Sequence, residues 1–176
     1  MKPFLVAVLM GVGCLPLSAG PESVKVSFSM EKDRDKNEMA DDKMGQGDKL
    51  EARYDFSFSL ENLQNEAYSG FQAKVYVVAE PNDWDRNSEL KVFKVLEASQ
   101  IAVPAQSTIK ADVGNVVLTS THSAKGNTLW RSGYLLTGYL AEFSLDGKVL
   151  FTESKGGSAV KKAVQAHLKA ESKKDR

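Results

Sequence analysis

Residues 50–60 alternate without a break. Leu50, Ala52, Tyr54, Phe56, Phe58 and Leu60 fall on one parity; Glu51, Arg53, Asp55, Ser57 and Ser59 fall on the other. Successive side chains of a strand point to opposite faces, so this spacing gathers every apolar group on one side. A helix would scatter them around its circumference. A strand with one apolar and one wet face belongs in an antiparallel sheet packed on one side only. That excludes a helical bundle and makes a second layer obligatory.

Further segments follow the same pattern. Val24, Val26, Phe28 and Met30 alternate with Lys25, Ser27 and Ser29, and 71–79 carries the β-branched Val75, Val77 and Val78. A short strand is expected at 90–96, and 101–104 continues the apolar character until Pro104 ends it or confines it to an edge. A long stretch at 108–118 is interrupted at Gly114-Asn115, where a bulge or turn is expected. Residues 129–145 and 148–153 flank Asp146-Gly147, a dipeptide suited to the positive φ angles of a type I′ hairpin. A turn that tight sets Ser144 beside Val149 and Phe143 beside Leu150.

Three regions depart from β character. Residues 31–49 are charged and small and have no face to bury, so they read as a flexible charged loop or a frayed hairpin extension. Residues 119–127 read as a Ser/Thr-rich loop holding His122. After Gly156-Gly157 the period changes: Ser158 is a good N-cap, and Val160, Ala163, Val164, His167 and Leu168 share a helical face. A C-terminal amphipathic helix with a basic tail is therefore expected over 156–176.

The chain has 176 residues and one cysteine, Cys14. Its first nineteen residues read as a secretory signal, with Lys2, an apolar core over 4–12, and Leu17-Ser18-Ala19 before Gly20. The apolar run is short and broken by Gly and Pro16, which fits an uncleaved anchor poorly. Lipidation at Cys14, preceded by Gly13, is the lesser alternative. Cleavage would leave 157 residues with 22 basic and 23 acidic side chains, a net charge of −1 and no cysteine. Such a chain is expected in the periplasm or outside the cell, held together by apolar packing rather than disulfides. Its balanced charge argues against nucleic acid as a partner.

These strands, without intervening helices, predict an all-β fold: an antiparallel two-sheet immunoglobulin-like sandwich of about seven strands over 20–155, with a short C-terminal α-helix. The order Y-D-F-S-F-S-L-E-N-L, F-Q-A-K-V-Y-V-V, V-P-A-Q-S-T-I and G-Y-L-A-E-F-S-L-D-G-K-V-L resembles small secreted Ig-like proteins of planctomycete and verrucomicrobial bacteria, which carry no assigned function. It is more distantly similar to CARDB and fibronectin type III domains. The resemblance implies a fold and an extracytoplasmic setting, and it carries over no site residues. In such folds Tyr134 or Tyr139 would be the corner tyrosine that anchors a loop through its hydroxyl.

The inventory for catalysis is thin. His122 and His167 are the two histidines, and the sequence holds no HExxH, CxxC, nucleophile elbow or phosphate-cradling glycine loop. No enzyme activity, catalytic residue or cofactor is expected. Asp33-Arg34-Asp35-Lys36-Asn37 and Asp83-Trp84-Asp85-Arg86-Asn87 space their oxygens as calcium loops do, but neither completes an EF-hand and basic residues intervene. The loop Asn82, Asp83, Trp84, Asp85 and Asn87 is the candidate ligand loop, an aromatic ring among hydrogen-bonding groups. The leading expectation is a non-catalytic binding module that takes a protein partner through its loops or an exposed strand edge. The alternative is a carbohydrate-binding module using the Trp84 loop, with structural calcium as an option.

Overall fold

A computed structural model describes residues 20–33, 36–42, 45–82, 90–125 and 128–174. Its strands are β1 (Lys25–Lys32), β2 (Lys36–Asp42), β3 (Gly45–Asn62), β4 (Tyr68–Pro81), β5 (Lys91–Val103), β6 (Ser107–Lys125), β7 (Thr128–Leu145) and β8 (Lys148–Lys155). One helix, α1 (Gly157–Lys174), follows them. All the pairings are antiparallel. The first sheet runs β1–β3–β6, with β2 added to the early half of β3; the second runs β5–β4–β7–β8. The sandwich is closed at one end by β7, whose first residues pair with β6 before the strand crosses to β4.

Alternation sets what lies between the sheets. Phe56, Phe58 and Leu60 of β3 and Val116 and Leu118 of β6 meet Phe71, Ala73, Val75 and Val77 of β4 and Ala141 and Phe143 of β7. On β4 the residues from Val75 to Ala79 are all buried, which one-sided packing does not explain. The other face of β4 supplies it. Tyr76 and Val78 lie under Val160, Ala163 and Val164 of α1, with Val92, Val95 and Leu140 around them. The helix thus makes a third layer over the second sheet. Its buried face ends at Val164: His167 is half-buried and Leu168 is exposed.

Several local expectations need correction. The charged stretch 31–49 is not a loop throughout: β1 continues to Lys32, and β2 pairs with β3 from Lys36↔Glu51 to Asp42↔Gly45. Backbone hydrogen bonds form this hairpin, the alternative reading of the segment, and they need no apolar side chain. His122 stands in β6 opposite Arg131 rather than in a loop. The short strand expected at 90–96 runs on to Val103 as one long strand, β5, in which Gln100 takes a positive φ of 57° at an irregularity. The interruption at Gly114 is a bulge at Val113, between the pairs Phe56↔Gly114 and Ser57↔Asp112.

The Asp146-Gly147 turn has φ angles of 50° and 77°, as a type I′ hairpin requires. Ser144 pairs with Val149, but Phe143 pairs with Phe151, because β8 bulges at Leu150. The helix begins at Gly157, one residue ahead of the expected cap Ser158.

Two polar groups are tied into the packed interior. Asn62 is fully buried, donating to the Glu66 and Pro104 carbonyls at 2.8 and 2.9 Å and accepting from the Gln64 N–H at 2.9 Å. It pins the β3–β4 connection to the β5–β6 turn. Tyr139 packs its ring on Phe28 and Phe56 and donates its hydroxyl to Glu153 Oε1 at 2.9 Å. It therefore links neighbouring strands β7 and β8 rather than anchoring a loop.

Burial, followed by the bond to Glu153, pushes the Tyr139 pKa up to about 12. An unfolded tyrosine titrates near 10. The folded state therefore keeps a proton that the unfolded chain has released, so stability present below about pH 10 is lost as the pH rises toward about 12. The stability advantage of wild type over Tyr139→Phe is expected to shrink across that window, read by urea unfolding at about pH 9 and about pH 11.5. A difference that stays constant would place the titration elsewhere.

Candidate functional site

The end of the sandwich where β7 changes sheets gathers the most chemistry. Gly133 makes the crossover at φ 95°, and a Cβ there would collide with the Thr119 carbonyl, so the close approach of β7 to β6 requires glycine. Asn82, at the end of β4, is buried beside it. Its N–H donates to the Gly133 carbonyl at 2.8 Å, and its side-chain nitrogen lies 3.0 Å from His122 Nε2. In that contact the amide donates and the ring nitrogen accepts, which places the proton of a neutral imidazole on Nδ1. Asn82 thereby fastens the root of the β4–β5 connection to β6 and β7.

Of the candidate ligand loop, Asn82 acts as this structural anchor. Asp83, Trp84, Asp85 and Asn87 lie outside the described residues. The other acidic spacing does not form a loop over its described part. Asp33 donates its N–H to the Arg53 carbonyl at 2.8 Å, and Asn37 stands in β2 opposite Leu50, so the chain follows the sheet edge. Among the described residues no group of three or more His, Cys, Asp or Glu side chains is placed to hold a metal ion.

Beside Asn82 stands a pair of exposed rings that the alternation pattern did not single out. Phe93 and Tyr134 are 41% and 43% exposed, with centroids 5.0 Å apart and planes inclined by 57°. Phe93 is the bulged residue of β5, between the pairs Val78↔Val92 and Val77↔Lys94. A bulge re-aims the side chain it releases, here toward Tyr134. The adjacent Val92-Phe93, two large apolar residues in a row, is the sequence signal for it. With Ala79, Pro81, Lys91 and Val92 the two rings line a hollow of about 340 Å³. On its other side Tyr134 borders a smaller hollow of about 80 Å³ with Tyr54, Leu118 and Leu136. Tyr134 is thus a ridge between two concavities, and the neighbouring Leu135 is 40% exposed.

Another concavity, about 280 Å³ on the outer face of the second sheet, is lined mostly by polar residues. Lys74 and Glu97 close an ion pair across it at 2.7 Å. The hydrogen bond to Glu97 raises the lysine pKa against the opposing effect of burial. His167, on α1 nearby, has its Nε2 at ion-pair distance from Glu171, 3.3 Å, without hydrogen-bond alignment. The histidines therefore face an amide and a carboxylate.

Comparison with known proteins leaves the site as the main source of functional information. No family model and no curated protein matches the chain. A crystal structure of a protein from Akkermansia muciniphila, a verrucomicrobial bacterium, aligns with 81% of this chain and 76% of its own at 16% identity and a TM-score of 0.36. No described helix is long and apolar enough to cross a membrane.

Proposed function

We propose that this protein is a non-catalytic extracytoplasmic binding module that grips a protein partner at the end of the sandwich carrying Phe93, Tyr134 and Leu135. The observation that carries this reading is the exposed aromatic pair beside a hollow lined by residues of the adjacent strands β4, β5 and β7. Aromatic anchors in such settings dominate protein–protein contacts. The export half of the reading rests on the signal-like first nineteen residues and on the resemblance of the quoted segments to small secreted Ig-like proteins.

The hollow favours a protein over a sugar. A sugar-binding surface needs a flat ring platform with several hydrogen-bonding groups around it. Here the rings are inclined, and the lining residues with polar side-chain atoms are Lys91 and Tyr134. The carbohydrate alternative depends on Trp84 and its acidic neighbours.

Panning a displayed peptide library on the protein, with a glycan array in parallel, tests both. Peptide ligands are expected, and Phe93→Ser with Tyr134→Ser should weaken them at least about tenfold, the loss of about 1.4 kcal/mol or more that an aromatic anchor carries. The melting temperature should move little, because both rings are exposed. Glycan binding that disappears in Trp84→Ala, with no peptide selected, would transfer the function to the sugar reading.

A further inference from the structure

β1 is a free edge of the first sheet, continued along β3 by β2. Unlike β5 and β8, the edges of the second sheet, β1 pairs with its neighbour without a register shift, from Lys25↔Glu61 to Lys32↔Tyr54. It contains no proline. Natural sheets usually blunt such an edge with bulges, prolines or inward charges.

The hydrogen-bond phase of this edge can be read directly. The Asp33 N–H donates to the Arg53 carbonyl, and those residues continue the β1–β3 register. Hydrogen-bonded and non-hydrogen-bonded pairs alternate in an antiparallel ladder. The odd residues Lys25, Ser27, Ser29 and Glu31 therefore spend their backbone groups on β3. The even residues Val26, Phe28 and Met30 turn theirs to the open side.

We infer that a second copy of this chain completes that edge, β1 pairing with β1 about a two-fold axis through Phe28. Antiparallel pairing in which the two residue numbers sum to 56 places Phe28 opposite Phe28 and Val26 opposite Met30, all with outward-facing backbone groups. It also sets Lys25 opposite Glu31, twice. Those odd pairs fall at non-hydrogen-bonded positions, where side chains stand closest. A slip of one residue would oppose free backbone groups with occupied ones. A slip of two loses both Lys25–Glu31 pairs: one direction puts Lys25 opposite Ser29, and the other puts Glu31 opposite Ser27 while setting Lys25 opposite Asp33. Backbone phase thus permits this register, and the two Lys25–Glu31 pairs favour it, with Glu31 the residue that separates it from the slip that pairs Lys25 with Asp33.

The existing surface pairs extend the pattern. Lys25 already meets Glu61 at 3.3 Å and Glu31 meets Lys110 at 3.6 Å, so each dimer contact would sit in an alternating row of charges. On the inner face Val26, Phe28 and Met30 are half-buried at the rim of the core and would gain cover. The contact runs from Val24 to Lys32 on each copy. This is a small interface, so the dimer is concentration-dependent rather than obligate. It does not use the aromatic end, and it stands whether or not that end binds a partner.

Sedimentation of the purified chain over about 5–500 µM, the range in which a small interface associates, reads the outcome. Lys25→Glu and Glu31→Lys each turn two attractive pairs repulsive, and each is expected to weaken dimerisation roughly five- to thirty-fold. The double variant restores both pairs with signs exchanged and should return to within about threefold of wild type. The side chains are 68% and 69% exposed, so melting temperatures serve as the folding control. A monomer throughout the range, a dimer indifferent to either single change, or a double variant no better than the singles would overturn the inference.

Discussion

Phe58→Ala is expected to destabilise the protein by about 3–5 kcal/mol, the cost of truncating a fully buried phenylalanine. Phe58 is wholly enclosed, with ring centroids of Phe28, Phe143 and Phe151 at 5.0, 5.5 and 6.2 Å. Those rings come from β1, β7 and β8, so one side chain joins both sheets. Phe143 continues the contact to Phe71 of β4 at 5.1 Å. The chain has one cysteine and cannot form an intrachain disulfide, so no cross-link compensates for a hole in this row. Domains are stable by about 5–15 kcal/mol, and at this size 1 kcal/mol moves the melting temperature by about 2–4 °C. A fall of about 6–20 °C is therefore expected, with Phe58→Leu intermediate and Phe93→Ala close to wild type. A loss under about 1 kcal/mol for Phe58→Ala would mean that the site collapses around the missing ring.

Phe58 was legible in the sequence because the outer face of β3 carries polar and charged residues, and the resulting alternation marks the inner ones. The strand at β4 was legible from its β-branched valines rather than from alternation. Val75 to Ala79 is buried on both faces, and periodicity alone does not distinguish such a run from a helix segment until α1 supplies the second cover. Backbone-driven structure is harder still to read. The β2–β3 hairpin is held by ladder hydrogen bonds, which leave no trace in side-chain pattern. The stretch around His122, rich in Ser and Thr, reads as a loop although β3 and β7 pair with it on either side.

The candidate site was half legible for a related reason. Asn82 belonged to the expected ligand loop, yet its burial makes it the anchor of that loop. Phe93 and Tyr134 come together through a bulge and a sheet-crossing strand, neither of which has a spacing rule. The edge proposed for self-association was visible as alternation over 24–30. Its hydrogen-bond phase, which permits the register, needed the structure.

Gly138→Ala is expected to destabilise by about 2–4 kcal/mol, because the added methyl overpacks a site bounded by backbone. Gly138 stands opposite Val78 on β7, under the junction of β8 and α1. A Cβ there would collide with the Lys155 carbonyl and come within 2.9 Å of Val160 Cγ2. Gly156, at φ 101°, meets the same valine, so the first turn of α1 is seated in a notch that two glycines leave open. Val160 is fully buried and begins the apolar face that covers Tyr76 and Val78. Relief of the clash must move either the end of β8 or the helix. The helix is the weaker of the two, being held by Val160, Ala163 and Val164. Hydrogen exchange should therefore accelerate across 157–174 before it does in β3 or β4, since local opening follows the number of buried contacts. Gly147→Ala separates this crowding from backbone strain. Gly147 has φ 77° and nothing within 4 Å of an added Cβ, so its cost is conformational alone, about 1 kcal/mol. Equal losses for the two variants, with helix exchange unchanged in both, would show that the helix does not depend on the notch for its seat.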